Sequence, residues 1–111
     1  MSGLERRQHP RLTCGDGNFK AAFRLPDGSI GRFEVVARNI SRGGIAFMHS
    51  KAVEPGADCD LILPTRHGEL IGIRGTVRAC RNVGIILKEI GVQFDEPLDD
   101  NSVAELAIVD R

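Results

Sequence analysis

Apolar and polar residues alternate along much of this chain of 111 residues, and this alternation limits its possible folds more than any other feature. A period of two is typical of β-strands that bury one face. The alternating apolar positions are Phe33, Val35 and Ala37 in one segment and Ile71, Ile73, Val77 and Ala79 in another. We therefore expect an all-β protein whose core is lined by these positions.

Thirteen Gly and five Pro divide the alternating segments into short strands. Pro26-Asp27-Gly28 predicts a hairpin turn, because Pro fixes φ for a turn and Asp-Gly favours hairpin geometry. The predicted strands are 18–25, 29–38, 44–49, 57–63, 69–81 and a last one that ends at Phe94. Closure of these strands would remove aggregation-prone edges. The expected fold is a small six-stranded antiparallel (split) β-barrel.

The last ten residues have a different period. Ser102-Val103-Ala104-Glu105 has the spacing of a capping box, and Val103, Leu106 and Val109 recur at every third residue. This pattern predicts a short C-terminal helix that covers an opening or an edge of the sheet.

Residues 1–17 are expected to form a mobile N-terminal arm ahead of a barrel domain of residues 18–111, because they are rich in charged and amide side chains. Arg7 and Arg11 are four residues apart on this arm, and Arg6 directly precedes Arg7. Such spacing puts both guanidinium groups on one side of the chain, where they can close over an anionic ligand. The motif R-x-x-x-R is weak evidence alone, since it occurs three times here.

A second motif, Asn39-Ile40-Ser41-Arg42-Gly43-Gly44, matches [D/N]-x-S-x-x-G at the end of a predicted strand. Asn39 and Ser41 project the same way and offer an amide and a hydroxyl to a ligand. Gly44 would let a planar group approach the backbone, or let the chain adopt a positive φ. The alternative is a turn in which Asn39 and Ser41 bond their own backbone.

The position of this motif along its strand raises a question of orientation. Asn39 and Ser41 have the same parity as Phe33, Val35 and Ala37, so an uninterrupted strand would point them into the core. Either they lie at the rim of the barrel, or a bulge turns them outward.

The net charge is zero, with 15 basic and 15 acidic residues, but the charges are unevenly placed. Residues 1–50 carry +4 and residues 51–111 carry −4, and 12 of the 15 basic residues are Arg. Arg suits bidentate contacts to phosphate or to a base edge. A neutral chain with five Phe and neither Trp nor Tyr is a poor candidate for polymeric nucleic acid, which needs a basic groove and aromatic stacking platforms.

No residue pattern indicates catalysis, a metal site or a cofactor. Cys14, Cys59 and Cys80 form no C-x-x-C pair, the three His lack metal-binding spacing, and no nucleophile motif is present. The densest apolar stretch is the five residues of 83–87, far below the ~18 of a membrane span. We expect no membrane insertion and, without an apolar signal-peptide core in residues 1–7, a cytoplasmic location.

The order and spacing of these motifs resemble the PilZ domain family over residues 5 to 109. Glu5-Arg6-Arg7-x-x-x-Arg11 is similar to the N-terminal motif of the family, and Asn39-x-Ser41-x-x-Gly44 to its second motif. The strand end Gly91-Val92-Gln93-Phe94 extends the likeness. The resemblance implies a six-stranded barrel that binds the bacterial second messenger cyclic di-GMP.

By this resemblance, Arg7 and Arg11 would hold phosphate and guanine, and Asn39, Ser41 and Gly44 would form the opposing surface. Arg6 lies at the position just before the motif, which in this family bears on whether one ligand or a stacked pair is bound. An Arg at this position resembles the members that bind the pair. The implied function is a non-enzymatic receptor or adaptor that changes conformation and signals to a partner protein. The sequence does not identify that partner.

Two alternatives compete with this interpretation. Asn39 replaces the Asp that is frequent in the family, and an amide offers guanine one acceptor where a carboxylate offers two. A degenerate PilZ-like barrel would then act only as a protein–protein interaction module without nucleotide binding. A barrel for single-stranded nucleic acid is the third hypothesis, and the scarcity of aromatic residues disfavours it.

Overall fold

The strands form where the sequence alternates and end where Gly, Pro and Asn interrupt it. The computed structural model describes residues 12–14, 17–25 and 27–109. Its elements are β1 Leu12–Thr13, β2 Asn18–Arg24, β3 Ile30–Ile40, β4 Gly44–His49, β5 Asp58–Pro64, β6 Leu70–Asn82, β7 Lys88–Phe94 and α1 Asp100–Ala104. The strands predicted at 18–25, 29–38, 44–49, 57–63 and 69–81 correspond to β2 through β6.

Six strands close into an antiparallel barrel. Their order is β3-β2-β5-β6-β7-β4, and β4 returns to pair with β3. The prediction of an all-β, six-stranded barrel is therefore confirmed. The barrel has two ends: the β3–β4 turn and α1 lie at one, and the β2–β3 and β6–β7 turns lie at the other.

The short strand β1 extends the sheet beside β3. Leu12 pairs with Ile40, Thr13 with Asn39, and Cys14 forms a bridge with Val109. Leu12, Thr13 and Cys14 of the predicted N-terminal arm thus lie against the barrel, as does Gly17, whose carbonyl accepts from the Ala37 N–H at 2.8 Å. Arg6, Arg7 and Arg11 lie outside the described residues, and the division of the chain at residue 17 stays a prediction.

Alternating side chains from all six barrel strands fill the interior. Phe23 is buried near the end that carries the β2–β3 turn, with its ring stacked 5.2 Å from that of Phe33 and 6.2 Å from that of Phe47, measured between centroids. Fully burying a side chain of this size stabilises the fold by roughly 1.5–3 kcal/mol. Fully buried core residues include Phe23, Val35, Ile40, Phe47, Leu61, Leu63, Val77 and Ile90.

Two β-bulges interrupt the alternation. The β3–β4 register shifts between Ala37 and Asn39, and the β6–β7 register shifts between Val77 and Ala79. Arg38 and Arg78 are the extra residues, and each reverses the face of everything that follows on its strand. The expectation that Ala79 lines the core is therefore wrong: Ala79 is exposed, while the next residue, Cys80, packs against the core.

The C-terminal segment covers the barrel end that carries the β3–β4 turn. Val103, Leu106 and Val109 are all buried, as their spacing predicted, and Leu106 forms a bridge with Thr65. The cap of α1 differs from the prediction. Asp99, rather than Ser102, is the N-cap, and its carboxylate accepts a hydrogen bond from the Ser102 N–H at 2.7 Å. No helix among the described residues is long and apolar enough to cross a bilayer.

Candidate functional site

The bulge at Arg38 decides the orientation of the second sequence motif. Ile40 is completely buried in the core, so its neighbour Asn39 lies on the outer face of β3. The sequence allowed either a position at the rim of the barrel or a bulge, and the structure shows the bulge. Asn39 is half-buried, one residue before the turn that contains Ser41.

Ser41 closes the turn between β3 and β4. Its backbone N–H donates to the Gly44 carbonyl at 2.8 Å, and its Oγ accepts from the Gly43 N–H at 3.2 Å. Ser41 therefore bonds the backbone of its own turn, which is the alternative to ligand binding that the sequence left open for this residue. A hydroxyl has one donor and two acceptor sites, so this bond uses only part of its capacity.

Gly44 is required by close packing between strands. A Cβ at this position would lie only 2.4 Å from the carbonyl oxygen of Val92 on β7. The φ of Gly44 lies outside the left-handed region, so the positive-φ explanation does not apply. The glycine thus allows β4 to approach β7 where the motif ends, and its contact with a ligand stays a prediction.

Small residues continue across the outer surface from Asn39. Asn39 pairs with Ala46, Ala46 with Gly91, and Gly91 with Ala79, which gives one transverse row over β3, β4, β7 and β6. We call Ala46, Gly91 and Ala79 the small-residue platform. None of the three side chains is larger than a methyl group. Ala46 is only 5% exposed and Gly91 is half-buried, whereas Ala79 is exposed, so the platform is open to a flat group at its Ala79 end.

Three charged residues border this platform. The Glu89 carboxylate accepts from Arg38 Nε at 2.9 Å through Oε2, and from Arg81 Nη2 at 2.7 Å through Oε1. The Glu89 side chain is 13% exposed, and those of Arg38 and Arg81 are 56% and 68% exposed. The trio has a net charge of +1 and offers the exposed edges of two guanidinium groups beside the platform.

Arg42, inside the motif, is directed elsewhere. Its Nε donates to the Leu98 carbonyl at 2.7 Å and lies 3.8 Å from Oδ1 of Asp100. The backbone of Leu98 donates back to the Arg42 carbonyl at 2.8 Å. Arg42 therefore ties the β3–β4 turn to the segment that leads into α1.

Sequence reasoning found Asn39, Ser41 and Gly44, and the structure brings all three to one turn. It missed the platform and the partners of Glu89, because only the pairing of β3, β4, β7 and β6 brings these residues together. Among the described residues, no three His, Cys, Asp or Glu side chains group as metal ligands would. The predicted roles of Arg6, Arg7 and Arg11 fall outside the described part of the chain.

Solved structures share this barrel. The chain is similar to the Bacillus subtilis inhibitor of motility MotI/DgrA, with a TM-score of 0.63, 20% identity and coverage of 91% of this chain and 48% of that one. It is similar to the PilZ domain of Escherichia coli YcgR with c-di-GMP, with a TM-score of 0.59, 14% identity and coverage of 81% and 78%.

The Borreliella burgdorferi PlzA protein in complex with c-di-GMP matches with a TM-score of 0.60, 18% identity and coverage of 94% of this chain and 40% of that one. The chain thus spans about half of MotI/DgrA and less than half of PlzA. It has no significant match among curated protein sequences.

A family model agrees with the sequence motifs and with the shared barrel. The model of the PilZ domain matches residues 5–109, which include both motifs, all seven strands and α1. The chain belongs to the PilZ domain family.

Proposed function

We propose that this chain is a non-enzymatic receptor for cyclic di-GMP, which the N-terminal arm clamps against the outer face of the barrel. Family membership supports the proposal, and two of the similar structures, YcgR and PlzA, contain c-di-GMP. The observation that carries it is the bulge at Arg38. It sets Asn39 on the outer face, at one end of the small-residue platform and next to the Ser41 turn.

The chemistry of this surface suits a guanine base. A planar base can lie flat at the exposed end of the platform, where no side chain is larger than a methyl group. The Asn39 side chain has an acceptor oxygen for the N1–H and N2–H edge of guanine, and the Ser41 hydroxyl has capacity for a second bond. The ligand would act as a signal and would not be a resident cofactor.

The arm can reach this surface because of where it joins the barrel. Thr13 pairs with Asn39 and Leu12 with Ile40, so β1 lies beside the motif. Arg11 is the residue before Leu12, and Arg7 lies four residues before Arg11. An extended chain spans about 3.3–3.6 Å per residue, so both guanidinium groups are within reach of a ligand on the platform. Each can bond phosphate oxygens or guanine O6 and N7 with two donors.

Binding would order the arm on the barrel and present a changed surface to a partner protein. Arg6 lies next to the clamp, and we propose that it supports a stacked pair of ligands, as its resemblance to pair-binding members implies. The zero net charge fits a compact dianion better than a polymer, because a few oriented Arg residues are sufficient for two phosphates.

Isothermal titration calorimetry with cyclic di-GMP tests the proposal. We expect binding at tens of micromolar protein and two ligands per chain. A charge-assisted hydrogen bond contributes about 1.5–3 kcal/mol, so Arg7→Ala and Arg11→Ala should each weaken binding by at least about tenfold. Arg24→Ala is the matched control, because Arg24 bonds the Gly28 carbonyl at the opposite end of the barrel.

Absence of heat from a folded sample would reject the receptor hypothesis and favour the interaction module. If Arg7→Ala and Arg11→Ala both bind like the wild type, the arm is not the clamp. Arg6→Ala should lower the stoichiometry from two to one, and an unchanged stoichiometry of two would reject the role of Arg6. Asn39→Asp should bind more tightly, because a carboxylate can accept both guanine donors.

A further inference from the structure

The hairpin between β6 and β7 ends in an exposed aliphatic loop, residues 83–87, which we call the hairpin tip. Ile85 is 103% exposed and Ile86 is 76% exposed, and Val83 and Leu87 are each 40% exposed. The backbone N–H of Val83 donates to the Leu87 carbonyl at 3.0 Å and closes the loop. Contiguous exposed apolar side chains of this kind mark interaction sites.

The hairpin tip projects from the barrel end opposite the Ser41 turn. The last pair between β4 and β7 is His49 with Lys88, and the first pair between β5 and β6 is Asp58 with Thr76. The tip therefore extends past the paired parts of both neighbouring strands. Because the Ser41 turn lies at the other end of β4, a ligand on that turn leaves the tip accessible.

The hairpin that carries the tip is basic near its end. The sequence has no acidic residue between Glu69 and Glu89. Lys88 adjoins the tip, and its Nζ donates to the neutral Asn82 side chain at 2.6 Å. Glu89 itself lies between two Arg, so the nearest carboxylate is more than neutralised. Elsewhere at the same end the charges balance. Lys51 and Glu54 lie in the β4–β5 connection, and Asp27 and Asp58 are matched in number by Arg24 and Arg32.

We propose that the hairpin tip docks on an anionic lipid surface, with its aliphatic side chains in the interfacial zone and Lys88 at the level of the headgroups. An aliphatic loop with cations behind it is complementary to a layer of apolar chains beneath negative headgroups. Backbone groups of the loop stay hydrated at that depth, which a tip in the hydrocarbon core would not allow. No membrane span is needed.

The shape of the tip favours lipid over a protein partner. Ile85 and Ile86 protrude into solvent, and residues 83–87 carry no polar side chain. A bilayer accommodates such a protrusion without a preformed pocket and without a hydrogen-bonding pattern to match. This docking is separate from the proposed receptor function and needs no cyclic di-GMP.

Sedimentation of the full chain with vesicles tests the proposal. We expect the wild type to sediment with vesicles that mix phosphatidylcholine and phosphatidylglycerol, and only weakly with phosphatidylcholine alone. Ile85→Ser combined with Ile86→Ser should lower the partition coefficient at least about tenfold, because two exposed aliphatic side chains are lost. Lys88→Ala should weaken binding to the mixed vesicles and reduce its salt dependence.

Leu70→Ser is the matched control, because Leu70 is 69% exposed at the opposite end of the same strand. It should sediment like the wild type. Absence of binding to the mixed vesicles, or equal binding by the Ile85/Ile86 double variant, would overturn the proposal. A concentration-dependent dimer that the double variant abolishes would assign the tip to self-association instead and would also overturn it. Unchanged thermal unfolding of the variants shows that folding is intact.

Discussion

Replacement of Gly44 by alanine tests whether the motif glycine is held in place by strand packing. The added Cβ would meet the Val92 carbonyl oxygen at 2.4 Å, and real Cβ contacts essentially never fall below 3.0 Å. The obstacle is backbone, so β4 must move away from β7. That movement strains the adjacent hydrogen bond from the Phe94 N–H to the Gly43 carbonyl, which measures 2.9 Å. Overpacking of this kind costs about 1–3 kcal/mol.

We expect Gly44→Ala to lower the free energy of unfolding by about 2 kcal/mol, which lowers the melting temperature of a domain of this size by roughly 10 °C. Urea denaturation followed by circular dichroism measures the change. Gly72→Ala on β6 is the control, because a Cβ there meets no heavy atom within 4 Å. Its unfolding should match the wild type. Equal stability of the two variants would refute the argument that β4–β7 packing requires Gly44.

Three further predictions concern charged and titratable groups. Glu89→Gln should lower stability by less than about 1 kcal/mol in thermal unfolding, because its two Arg partners are mostly exposed. Because it removes a negative charge beside the platform, it should also strengthen cyclic di-GMP binding at low salt in calorimetry. Hydrogen bonds from Ser102 lower the pKa of Asp99 below 3.8, so Asp99→Ala should destabilise the protein at neutral pH. The difference in melting temperature should shrink as the pH falls below 3.8. Burial lowers the pKa of His49 below 6.5, and the charge of Lys51 lowers it further. Thermal stability should therefore fall as the pH drops below that value, and His49→Phe should remove this loss.

Local patterns were sufficient to predict most of the barrel. The turn at Asp27-Gly28 joins β2 to β3 as expected, with Gly28 at φ 88°, because a tight hairpin depends on a few adjacent residues. The short helix also forms where the spacing placed it, with Val103 buried on α1. The turn and the helix are set by residues that are close in sequence. Leu106 and Val109, which the same spacing included, lie beyond α1 and pair with Thr65 and Cys14.

The features that sequence reasoning missed depend on pairing between distant strands. The parity of Asn39 and Ser41 allowed a bulge, but only the register of β3 against β4 establishes it and identifies Arg38 as the extra residue. Ala79 lies outside the core because of the register of β6 against β7. The same holds for Gly44, whose neighbour Val92 is 48 residues away. The turn that bears the candidate site was therefore predictable, but the surface beside it was not.

An NMR titration of the labelled full chain with cyclic di-GMP shows directly whether the ligand binds beside the Ser41 turn. We expect saturable shifts of the backbone amides of Asn39, Ser41, Gly91 and Ala79. Gly28, at the other end of the barrel, should not shift. No saturable shift with a folded protein, or shifts confined to residues outside the Ser41 turn and the small-residue platform, would contradict binding beside that turn.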